Sequence, residues 1–125
     1  MIQTTLVLGS SAFEREQAIA AELAAIGQHD GRSAVLLEGL GSGQLLIAED
    51  PNTSVVRIAA GCLCCSNNMI LRIYLNRLIR QKPQRLFLSL STEPHLDQLK
   101  QYLSTADYQN ILEVSKVLNL NSTIA

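Results

Sequence analysis

The sequence predicts an α/β domain: a mostly parallel sheet with helices on both faces. Two observations lead there. Short apolar runs stand at Thr4–Leu8, Ser33–Leu37, Ser54–Ala59 and Leu86–Leu90; longer stretches of helical periodicity fill the first and last gaps between them, and strands that alternate with helices build parallel sheets. No internal repeat, linker or low-complexity segment divides the chain, so residues 1–125 form one domain. A chain of that length buries roughly two-thirds of its unfolded surface.

In order, Thr4–Leu8 is a buried strand stopped by Gly9-Ser10-Ser11. Ser11 caps a helix over Ala12–Ile26, with Glu14 placed as in a capping box. Phe13, Ile19, Leu23 and Ile26 form its apolar side, and Gly27 stops it. A turn at His29-Asp30-Gly31 leads to the run Ser33–Leu37, and a Gly-rich loop spans Glu38–Gly43. Leu45–Ile47 reads as a brief strand, and Glu49–Asn52 turns the chain into the β-branched strand Ser54–Ala59. Ser66, Asn67 and Asn68 are competent caps for a helix over Asn67–Gln81, whose apolar positions include Ile70, Leu71, Tyr74, Leu75 and Leu78. Lys82-Pro83 ends it. After the strand Leu86–Leu90, Pro94 starts a helix through Leu103. The tail reads as a short helical piece near Tyr108–Glu113 and a last strand at Val117–Leu120.

Composition excludes several functions. The chain is 47% apolar and 17% charged with a net charge of −1, which rules out a disordered segment and gives no electrostatic case for nucleic acid or acidic membranes. Without Trp and with few aromatics it offers no base-stacking platform. No apolar run approaches the roughly 20 residues of a membrane span, and the start lacks the basic region of a signal peptide. Three adjacent cysteines do not make a secreted disulfide framework, so the expected compartment is the cytoplasm, with the thiols reduced.

All three cysteines stand in Gly61-Cys62-Leu63-Cys64-Cys65, between a strand and a helix. Cysteines that merely fill a core are spread out, whereas three within four residues concentrate thiolate chemistry at one point. Open α/β folds commonly put their sites in such strand-to-helix turns. The functional reading is metal binding by Cys62, Cys64 and Cys65. Soft thiolates select zinc or copper(I), and a following helix N-terminus favours their deprotonation. The fourth ligand is open among water, a partner's cysteine, Glu38, His29 and His95. Two other readings stand beside this one: an inherited turn of small side chains, and redox chemistry. His29 reads as a turn residue and His95 as a helix-start residue. Glu14, Arg15 and Glu16 read as a solvated helix start, and Arg72, Arg77 and Arg80 as a wet helix face. Gly39, Gly41 and Gly43 do not form GxGxxG.

These elements resemble the CobW-like GTPases, which stand with the nickel-insertion GTPases for hydrogenase and urease among the P-loop metallochaperones. The resemblance rests on Gly61–Cys65, which matches the family's GCxCC motif after a strand, and on the order of elements around it. It covers roughly residues 4–95 and implies a P-loop-NTPase-like fold. The nucleotide motifs depart from the family. The pattern GxxxxGK[ST], begun at Gly9, puts Glu14, Arg15 and Glu16 at its last three positions. Glu14 replaces a glycine that lets backbone approach phosphate, and Glu16 replaces the magnesium-binding hydroxyl. Arg15 keeps a positive charge at the lysine position. Carboxylates at a helix start also satisfy the dipole that would attract phosphate. At an effective dielectric of about 20, like charges about 4 Å apart repel by roughly 4 kcal/mol. Ser89-Leu90-Ser91-Thr92 stands where the family has E-T-T-G, and no Asn-Lys-x-Asp motif occurs. The expectation is therefore a shortened, non-catalytic domain that binds zinc or copper and no nucleotide. The alternative is a GTPase-derived interaction module that docks on a relative or on itself through the old nucleotide face. Residual GTP hydrolysis is a third.

Overall fold

The computed structural model describes residues 2–9, 12–26, 31–38, 47, 52–58, 69–90, 101, 103, 108 and 110–120. Strands β1 (Ile2–Leu8), β2 (Ser33–Glu38), β3 (Thr53–Ile58), β4 (Arg85–Leu90) and β5 (Leu112–Asn119) form one sheet in the order β3-β2-β4-β1-β5, and every pairing is parallel. Helix α1 (Ala12–Ile26) covers one face and α2 (Met69–Ile79) the other. No helix among the described residues is long and apolar enough to cross a membrane.

The strands are apolar on both sides because both sides are covered. On β2, Ala34 and Leu36 join the α2-side cluster while Val35 and Leu37 join the α1-side cluster. On β4, Leu86 and Leu88 face α2 and Phe87 faces α1. Helix α1 contributes Ile19, fully buried, with Ala18, Leu23 and Ile26 packed beside it. Helix α2 contributes Leu75 and Leu78, whose three-residue spacing puts them on one stripe. Its far side is wet, as predicted for Arg77 and Arg80, and the Arg77 guanidinium lies 5.3 Å from the Tyr74 ring centre. Lys82 closes α2 in the left-handed region (φ 54°), its N–H donating to the Ile79 carbonyl before Pro83 forbids another turn. Gly31 is needed at the entry to β2, where φ is +90° and an added Cβ would lie 2.3 Å from the Gln84 side chain.

Two expectations for the second half are corrected. Among the described residues the tail shows turn at Tyr108, Asn110 and Ile111, where the N–H groups of Ile111 and Leu112 both donate to the Tyr108 carbonyl, and Leu112 begins β5. The last strand thus starts at Leu112, five residues before the expected Val117. Its side chains follow no single period of two, because pairing with β1 slips between Thr4 and Thr5 and leaves Ser115 as an extra residue. Ile47 is a buried bend on the α1 side, not part of a strand. The predicted helix from Pro94 is described only at Gln101 and Leu103, both helical.

Candidate functional site

A parallel α/β sheet gathers its sites at the carboxyl ends of the strands, in the crevice where neighbouring strands send their connections to opposite faces. Here that crevice lies between β1 and β4. From β1 the chain crosses the α1 face to β2. From β4 it crosses the α2 face, past Leu103 and Tyr108, to β5. Gly9 ends β1 at the crevice with φ +81°, a conformation a side chain would strain.

Helix α1 starts beside it and turns two charged side chains into the fold. Arg15 is only 2% exposed. Its Nε–H donates to Ser89 Oγ at 2.8 Å, and one terminal nitrogen donates to the Gly9 carbonyl at 3.2 Å. Ser89, itself buried, comes from the carboxyl end of β4. One guanidinium therefore bridges the ends of the two strands that bound the crevice. Glu16 is equally buried and meets Arg57 of β3 through two parallel hydrogen bonds of 2.8 and 3.1 Å. The fork matches a carboxylate in two places at once, the stronger form of such a pair. The Glu16 hydrogen bond holds the Arg57 guanidinium even more firmly protonated than usual, against the opposing effect of burial.

The expectation of a solvated helix start thus holds for Glu14, which is exposed, and fails for Arg15 and Glu16. Burying a charge is costly unless partners compensate it: Glu16 is ion-paired with Arg57, and Arg15 is hydrogen-bonded to Ser89 and Gly9. Two expectations drawn from the motif change with it. Glu16 is not a bare carboxylate facing a phosphate site, because Arg57 neutralises it. Arg15 does not hold its charge out into solvent, because the side chain is buried and two of its N–H groups bond Ser89 and Gly9. One signal in the sequence pointed this way: Arg57 is the single charged residue of an otherwise β-branched and hydroxylic strand. Its partner, 41 residues away, carried no signal.

Cys62, Cys64, Cys65, His29 and His95 lie outside the described residues. The connection that carries the cysteines runs from the carboxyl end of β3 to the start of α2. Glu38, whose backbone is described, pairs in register with Ile58 at that same end of the sheet. Among the described residues no three Cys, His, Asp or Glu side chains gather into a metal-sized group. An open cleft of about 670 Å³ lies at the opposite, amino end of the sheet, lined by Gln3, Lys82, Gln84, Arg85 and apolar neighbours. It is remote from the crevice and contains no thiol or carboxylate among its lining residues.

No family model, curated protein or solved structure matches this chain. The fold and crevice define an open, all-parallel α/β domain, helices on both faces, whose switch point is spanned by its own arginine.

Proposed function

We propose that the protein is a non-catalytic metal-binding domain of CobW-like descent. It works in the cytoplasm, takes zinc or copper(I) on Cys62, Cys64 and Cys65, and neither binds nor hydrolyses GTP. The metal half stands on the donor set. Three thiols within four residues suit a soft, tetrahedral ion, and their connection leaves the end of the sheet where such folds place ligands.

The burial of Arg15 carries the non-catalytic half. In a working P-loop the backbone amides and a lysine reach out to phosphate. Here the residue at the lysine position is buried, with two of its N–H groups on Ser89 Oγ and the Gly9 carbonyl. A triphosphate drawing that guanidinium out of its buried place would break those bonds and leave the Ser89 and Gly9 oxygens unpaired. The buried Arg15 and the Arg57-paired Glu16 do not fit a nucleotide.

Calorimetry on the reduced protein tests both halves. Zinc should bind with an affinity that vanishes when all three cysteines become serine. GTP with magnesium should give no binding tighter than about 100 μM, roughly −5.5 kcal/mol. Zinc binding that ignores the serine substitutions, or GTP binding tighter than that bound, would overturn the corresponding half.

A further inference from the structure

Strand β5 is outermost on its side of the sheet, and among the described residues it pairs with β1 alone. Two hydrogen bonds show which of its polar groups face away. Ile2 N–H donates to the Ile111 carbonyl, and Leu120 N–H donates to the Leu8 carbonyl, so Ile111 and Leu120 both turn toward β1. Successive residues of a strand alternate, and the extra residue Ser115 resets the alternation once. Leu112, Val114, Val117 and Asn119 therefore offer their N–H and C=O groups outward, while Glu113 and Lys116 turn theirs inward.

The same reset places side chains. Glu113 stands in register with Gln3 and Lys116 with Thr5, so both lie on the α1 face, where Lys116 meets Glu22 of α1 at 2.9 Å. Leu112 and Val117 stand opposite Ile2 and Leu6, on the α2 face. In a regular strand, residues three or five apart fall on opposite faces. The bulge puts each of these two pairs on one face.

We infer that the β5 edge docks against the β5 edge of a second copy of this chain, antiparallel about a two-fold axis, in one register. That register sets Glu113 against Lys116 of the second copy and Lys116 against its Glu113. It sets Leu112 against Val117 of the second copy and Val117 against its Leu112. Each of these four contacts joins side chains on the same face, opposite in charge or both apolar. The charged pairs fall at positions without inter-chain hydrogen bonds, where opposing side chains come closest, and the apolar pairs fall where the ladder bonds form. Val117, 36% exposed in the single chain, is covered. Lysines and bulges ordinarily keep an edge from pairing. Here Glu113 complements the lysine in this register alone, so the two features select a register. A contact of one strand edge is small, which makes the dimer weak and concentration-dependent. The inference does not depend on the metal reading.

Sedimentation equilibrium of the full chain tests it, from micromolar to near-millimolar protein, with reductant and chelator so that neither disulfides nor metal bridges two copies. The wild type should form a dimer. Glu113→Lys and Lys116→Glu, each folded by circular dichroism, should weaken it by about tenfold or more, since like charges then face each other twice. An equimolar mixture of the two variants should recover association, because each strand meets its complement. A wild type monomeric throughout, a dimer indifferent to Glu113→Lys, or a mixture that stays apart would overturn the inference. Glu113→Lys leaves the Lys116–Glu22 pair intact, so that arm decides even if Lys116→Glu folds poorly.

Discussion

Among the described residues, the α2 side of the sheet buries twelve residues in one apolar cluster, from Ile2 and Leu6 to Leu103 and Leu112. The α1 side buries six apolar residues, and there the helix start also buries Arg15 and Glu16. The first face is held by area removed from water, which is non-directional and tolerant of drift. The second is held at its carboxyl end by four hydrogen bonds with fixed geometry. Those bonds tie α1 to three strand ends at once: β1 through Gly9, β4 through Ser89 and β3 through Arg57. The contrast assigns the faces different work. One supplies stability, and the other fixes the shape of the crevice and the end of the strand that leads to the cysteines.

Truncation on the two faces should therefore differ in size. Leu36→Ala, at the centre of the α2-side cluster and fully buried, should cost about 3–4 kcal/mol in chemical denaturation. Arg15→Ala should cost about 2–3 kcal/mol, chiefly by leaving buried acceptors without donors. If Arg15→Ala costs more than Leu36→Ala, the division of labour between the faces is wrong. Glu16→Gln should cost less again, about 1–2 kcal/mol, because the Arg57 side chain is 35% exposed and water partly replaces its lost partner. A loss for Glu16→Gln as large as that for Leu36→Ala would mean that the charge network, not the apolar face, carries the fold.

The sequence made the scaffold legible and the network illegible, for a physical reason. Helix α1 shows in the helical recurrence of Ile19, Leu23 and Ile26 between a Ser11 cap and a Gly27 stop, and the continuous runs of β1, β2 and β4 show burial on both faces. Those signals are local. The burial of Arg15 and Glu16 depends on partners 74 and 41 residues away, and a charged pair in a first helical turn is usually just a solvated start. Strand β5 was hidden by a single residue. Leu112-Glu113-Val114 alternates, Ser115 breaks the period, and Val117-Leu118 no longer continues it. The cysteine cluster is the reverse case: its chemistry is plain in the residue types, while its geometry lies outside the described residues.

Metal content of the purified, reduced protein tests the central claim most directly. Native mass spectrometry at micromolar zinc or copper should show a stoichiometric adduct on the wild type and none when Cys62, Cys64 and Cys65 are replaced by serine. A wild type without an adduct under those conditions would contradict it.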